Sequence, residues 1–160
     1  MLRTNAIRLA CLLTAASALA FPATAATDTD NLAVTVDVVA TCTITGATLD
    51  FGNYVGVQLD ASANLAVQCT DTTVYTVLLD AGANGATTAA RELADGVEVL
   101  NYALFSDAGR TANWGDQLAD DVAGTGDGAS NNHMVYGRIA GGQFPAPGTF
   151  TDTVVATVSY

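Results

Sequence analysis

In residues 31–39, Asn-Leu-Ala-Val-Thr-Val-Asp-Val-Val, apolar side chains recur at every second position. An extended chain places Leu32, Val34, Val36 and Val38 on one side and Asn31, Thr35 and Asp37 on the other, the pattern of a strand with one buried face. A second strand-like run fills residues 149–160, where Val154, Ala156, Val158 and Tyr160 alternate with Thr153, Val155, Thr157 and Ser159. The first set is expected to face the core. An apolar strand ahead of the first body cysteine, and a sequence that stops inside its last strand, together predict a subunit completed by its neighbours. The periodicity alone also permits an edge strand within one chain, which would give a monomer.

Residues 1–26 have the order of an export signal. Arg3 and Arg8 form a basic start, residues 9–21 are apolar apart from Thr14 and Ser17, and Ala23-Thr24-Ala25 fits a small-x-small cleavage site. Cleavage is expected after Ala25 or Ala26. The apolar run is shorter than the ~20 residues of a spanning helix, and no later stretch is long and apolar enough, so an exported chain, soluble or assembled outside the cell, is expected. Export also resolves the cysteines. Cys11 leaves with the signal, and the remaining pair, Cys42 and Cys69, is expected to form one disulfide in an oxidising compartment.

Charge narrows the partners. Of five basic residues, removal of Arg3 and Arg8 leaves Arg91, Arg110 and Arg138 against all 16 acids, a net of −13 without any lysine. Phosphate binding needs basic clusters, so nucleic acid is excluded as a partner, and anionic membrane surfaces with it. Half of the chain is hydrophobic, far above the composition of a disordered acidic tail. Roughly 135 mature residues suffice for one β-domain with a core.

Beyond residue 38, short β-rich runs alternate with Gly, Asp and Asn clusters. Strands are expected at 38–44, leading into 49–54, then at 63–69, 74–79, 97–105, 134–139 and 150–160, a density that argues for an antiparallel sandwich. Helical periodicity is confined to one short candidate, residues 91–94. Two connections, 81–90 and 107–132, are long and rich in Gly, the second also in Asp, and read as surface loops. A calcium site in the second is the sharper alternative, although residues 120–124 lack alternating ligand spacing and a following bidentate Glu.

Catalytic material is sparse. His133 is the only histidine and has no orienting carboxylate or nucleophile at a meaningful spacing, so a surface or strand-end residue is expected. Sixteen acids scattered over turns read as a solvated surface rather than a glycosidase pair. Trp114 reads as a plug at one end of the core, with stacking on a sugar ring as the alternative. No enzyme, cofactor or metal is expected.

The motifs add up in order along the chain. Cys42 is followed by Phe51-Gly52-Asn53-Tyr54, Val67-Gln68-Cys69-Thr70 and Tyr75-Thr76-Val77-Leu78-Leu79-Asp80-Ala81-Gly82. Leu100-Asn101-Tyr102-Ala103-Leu104-Phe105-Ser106-Asp107, Trp114-Gly115-Asp116, Val135-Tyr136-Gly137-Arg138-Ile139 and Pro147-Gly148-Thr149-Phe150-Thr151-Asp152-Thr153-Val154 complete the set. With these the sequence resembles the spore coat protein U domain family, the subunit class of archaic chaperone–usher pili. It departs at Asp71-Thr72, where a small glycine-containing turn is usual, and in its low basic content.

The resemblance implies an all-β fold, an incomplete immunoglobulin-like β-sandwich lacking its last strand, with Cys42 and Cys69 at the family's disulfide positions. It implies residues 1–26 as signal peptide, 27–39 as an N-terminal donor-strand extension and 40–160 as the pilin domain. The implied partners are a periplasmic chaperone facing Val154, Ala156, Val158 and Tyr160, an outer-membrane usher, and identical or related subunits receiving Leu32, Val34, Val36 and Val38. The implied location is an extracellular fimbria or cell surface, reached through the periplasm, with surface attachment and biofilm formation as the role. A spore or cell coat, and a secreted carbohydrate-binding monomer, are the alternatives.

Overall fold

The computed structural model describes residues 24–160. The expected signal peptide lies outside the described residues except for its last three positions. The chain divides into two units, Met1–Val36 and Asp37–Tyr160, and the second carries eight strands: β1 (Cys42–Thr45), β2 (Leu59–Cys69), β3 (Val74–Leu79), β4 (Arg91–Asp95), β5 (Glu98–Phe105), β6 (Val122–Thr125), β7 (Ser130–Ile139) and β8 (Ala156–Ser159). Every ladder is antiparallel. One sheet has the order β1-β2-β7-β5-β4 and the other β6-β3-β8. The expected all-β sandwich is the observed fold.

Period-two patterning builds the core. Leu65, Val67 and Cys69 of β2, Leu100, Tyr102 and Leu104 of β5, and Val135 and Ile139 of β7 point inward from the larger sheet, and Tyr75, Val77 and Leu79 of β3 meet them from the smaller. Gly137 interrupts the inward series of β7 for a steric reason. A Cβ there would stand 2.7 Å from the Phe51 ring and 3.0 Å from Leu49, so the glycine lets residues 49–51 lie on the sheet.

Several expected elements differ. Residues 91–94 form β4, not a helical turn, because they pair with β5 across a hairpin whose Gly96 takes φ +64°. The long 107–132 connection contains β6, paired with β3. Its Gly124 is overlaid by the Tyr75 ring, which a Cβ would approach to 2.4 Å. Residues 49–54 form no strand, and the run expected over 38–44 shortens to β1. The run expected over 150–160 shortens to β8, with Thr151 bonded instead to Ala94 at the edge of β4 in both directions, 2.9 and 3.0 Å. The last segment therefore touches the edge of one sheet before joining the other.

Candidate functional site

The two sheets do not close on each other along one side. One bank is β1 with residues 46–54, and the other is the segment leading into β8. Between them Leu65, Leu79, Leu104 and Val135 form the floor of a cavity of about 370 Å³, with Ile44 and Leu49 on one bank and Val154 and Ala156 on the other. Past Phe51 and Leu93, which line both spaces, the furrow runs on into a second cavity of about 610 Å³ bounded by residues 49–56 and 143–150. Such an apolar trough stabilises the chain most when something apolar covers it.

The β8 bank carries an unused edge. Asp80 N–H donates to the Val155 carbonyl at 3.1 Å, and Val155 N–H donates to Asp80 Oδ1 at 2.9 Å, so the odd-numbered residues of this strand address β3. Antiparallel geometry then turns the N–H and C=O groups of Val154, Ala156 and Val158 towards the furrow, and no strand occupies that side among the described residues. The side chains of Val154, Ala156 and Val158 are half-buried and pack on the core, as the alternation predicts. Tyr160 does not follow them. It is 60% exposed, because it lies one residue past β8 and its last ladder partner, Ser159.

The opposite bank is held by the Phe51-Gly52-Asn53-Tyr54 motif. Phe51 packs edge-on to Tyr102, with centroids 6.2 Å apart. Gly52 sits at φ +73° and donates its N–H to Asp50 Oδ1 at 2.8 Å. The Tyr54 hydroxyl donates to the Ala140 carbonyl at 2.9 Å and accepts from Gln143 N–H at 3.0 Å. Cys42 and Cys69, opposite each other in the β1–β2 register, are joined by a disulfide as expected. It fixes β1, a four-residue edge strand.

A part-buried polar contact in the furrow is closed internally. The Tyr102 hydroxyl donates to Asp152 Oδ2 at 2.6 Å, while Asp152 Oδ1 accepts N–H groups of Ala83 and Thr153, each at 2.8 Å. Burial, reinforced by that carboxylate, pushes the Tyr102 phenol far above its ordinary pKa. It is a structural donor, not an acid. Arg91 is fully buried, a placement that a cation in the sequence does not announce. Its Nε donates to the Asp80 carbonyl (2.9 Å), its Nη1 to Thr88 (2.8 Å) and its Nη2 to Leu79 (3.0 Å) and Trp114 (2.8 Å). Trp114 plugs the core beside it at 1% exposure, its Nε1–H bonded to the Val77 carbonyl at 2.9 Å. A buried indole cannot stack on a sugar.

The remaining candidates are likewise engaged. Nε2 of His133 in β7 lies 2.9 Å from the Tyr75 hydroxyl, and burial lowers its pKa. Asp120, in the Asp-rich connection, accepts from Gln117 N–H at 2.9 Å and from Asn113 Nδ2 at 3.1 Å. Leu32, Val34, Val36 and Val38 contrast with all of these. They belong to no strand and are 83–87% exposed. Among the furrow residues, Ile44, Leu49, Phe51 and Leu93 are not among the site residues the sequence points to. Phe51 alone carried a signal, through its motif.

A family model described as the Spore Coat Protein U domain matches residues 27–157. The chain belongs to that family. Across the family domain it is a structural protein and not an enzyme. Protein U of Myxococcus xanthus is 37% identical over 178 aligned residues, covering 98% of this chain and 99% of that one. Among solved structures, the fold is similar to a chain in the crystal structure of the CsuC-CsuE chaperone-tip adhesion subunit pre-assembly complex from archaic chaperone-usher Csu pili of Acinetobacter baumannii. The TM-score is 0.59 at 22% identity, over 77% of this chain and 40% of that one. That likeness carries the fold, an immunoglobulin-like β-sandwich.

Proposed function

We propose that this spore coat U protein is a structural subunit of an extracellular pilus, assembled by donor-strand exchange through a chaperone–usher pathway. In this reading residues 1–26 direct export, residues 27–39 are the donor extension and residues 40–160 the accepting body. The carrying observation is the pairing of an open apolar furrow, edged by the unused backbone groups of β8, with an exposed segment bearing Leu32, Val34, Val36 and Val38 at period two. Laid into a neighbour's furrow, that segment adds a strand by β-augmentation. Burying four such side chains is worth about 6–12 kcal/mol before ordering costs.

Before assembly the furrow needs a temporary occupant, and a periplasmic chaperone bound along Val154, Ala156 and Val158 supplies one. The solved neighbour, itself from a chaperone complex of archaic chaperone-usher pili, supports that partner. An outer-membrane usher then exchanges it for the next subunit. Surface attachment and biofilm formation are the roles such a fibre serves. The family description favours a second reading, a coat layer built by the same exchange. Electron microscopy of the producing cell distinguishes filaments from a layer.

The exchange itself is tested with a chain lacking residues 27–38, which keeps all eight strands. A peptide of residues 31–40 should raise its melting temperature through binding to the folded state. Val36→Asp in the peptide should abolish the rise, since an unpaired charge in an apolar trough costs several kcal/mol, whereas Thr35→Asp should change it little. Fibre formation by the truncated chain at the normal rate would overturn the proposal.

A further inference from the structure

The body has two different ends. At one, β2 and β7 begin and finish at the pair Leu59–Ile139, and residues 55–58, the β4–β5 turn and residues 141–149 gather. They are tied together by Gly142 N–H to the Gly56 carbonyl at 2.9 Å and Ala146 N–H to Glu98 at 3.3 Å. Four large apolar side chains stand out into solvent there: Val55 (75% exposed), Val57 (59%), Val97 (95%) and Phe144 (84%). The other end holds the 70–73 turn, Cys42 beside Cys69, and the last pair of β8, Thr76–Ser159. Val74 (68%) and Tyr160 (60%) are exposed apolar residues there.

The chain enters the body at the second end, where Thr70 N–H bonds the Thr41 carbonyl at 3.0 Å. β8 runs towards this same end. A donor segment that pairs antiparallel with β8, as every ladder of this fold does, therefore runs the opposite way. Its residue 38 emerges at the first end, where the furrow opens past Val55 and Phe144. Only Val39, Ala40 and Thr41 separate Val38 from Cys42, a reach of at most about 13 Å. A compact body of this size has a radius of gyration of about 13 Å. With so short a link, the donor's body cannot stand clear of the subunit it completes.

We infer that the end bearing Val55, Val57, Val97 and Phe144 is a subunit–subunit contact surface, and that its occupant is a second copy of this chain, presenting its Val74 and Tyr160 end. The inference rests on the donor-strand reading. The two surfaces differ, so the contact is heterologous and repeats head to tail along an open filament, as a fibre requires. It gives the exposed apolar side chains a cover that donor insertion alone does not.

The test uses full-length chain assembled into fibres and carrying Val97→Cys with Val74→Cys, treated with a short bismaleimide. Both side chains are exposed, so neither change disturbs the core. Linkage of Val97→Cys in one copy to Val74→Cys in the next should give a covalent ladder from fibres and none from monomer. Each single-cysteine variant, which can yield at most a covalent dimer, should give none. Normal fibres of the double variant that yield no ladder, or a covalent dimer from Val74→Cys alone, as parallel insertion would produce, overturn the inference while leaving strand exchange standing. Fibres formed by a chain without residues 27–38 would instead overturn the donor-strand reading. Independently, Val97→Asp should leave binding of the 31–40 peptide unchanged and lower fibre yield. An unchanged yield counts against the contact.

Discussion

Arg91 and Leu93 lie two residues apart on the same inward face of β4 and meet opposite surroundings. Arg91 is sealed, with all three guanidinium nitrogens bonded to four carbonyls beside the buried Trp114. Leu93 is half-buried and lines both spaces of the furrow. Within one strand the fold passes from a closed core to an open trough. The opening is therefore a defined side of a well-packed body, bounded by two edge strands, rather than slack packing throughout.

The largest expected effect lies on the sealed side. Arg91→Met leaves four buried carbonyls without a donor, at about 1 kcal/mol or more each, and should lower the unfolding free energy by about 4 kcal/mol in a urea titration. Leu93→Ala should cost only about 1–2 kcal/mol, less than a fully buried leucine, yet weaken binding of the 31–40 peptide. Equal losses at the two positions would mean the furrow is closed and would dissolve the contrast. Next is the furrow's bank: Cys42→Ser should cost about 3–4 kcal/mol on the chain-entropy estimate, read from the urea midpoint of the exported protein.

A smaller effect follows pH. Burial depresses the pKa of His133 below 6.5, so the unfolded chain takes up its proton first as pH falls. Stability is at its plateau above pH 6.5 and declines below it, down through the depressed value. His133→Gln should flatten that part of a stability profile between pH 7 and 5, and a profile identical to wild type would discount the histidine. The smallest concerns Thr72, a β-branched residue at φ +62°, held there by its N–H to the Gly126 carbonyl at 2.9 Å. Thr72→Asn, better suited to the left-handed region, should raise stability by about 1 kcal/mol or less, seen as a small rise in melting temperature.

Much of the fold was legible because its strands keep a clean period. Residues 74–79 are all β-formers ending at Asp80-Ala81-Gly82, and β3 has those bounds. The disulfide followed from cysteine count and compartment. β4 was obscured because Arg91 breaks the apolar series: a cation on an inward face looks like a surface residue until its carbonyl partners are known. β6 was hidden because its third residue must be glycine under Tyr75, which makes a strand resemble a loop. The furrow was legible only through the family resemblance. Its banks come from residues 46–54, which form no ladder, and from a last segment that touches β4 at Thr151 before β8 pairs with β3. The left-handed Thr72 stands where the family turn ordinarily has glycine, so that departure marked a strained position.

The disulfide also decides where a mechanical load travels. A pull on the chain ahead of Cys42 arrives first at β1, whose ladder has four pairs, but the Cys42–Cys69 bond diverts it into β2. There it meets ten consecutive pairs with β7, from Leu59–Ile139 to Gln68–Ser130. β1 is thus out of the force path, and extension of the body would begin by shearing its longest ladder rather than by peeling its shortest. Reduction alone would turn a stiff tether into one that lengthens under small tension.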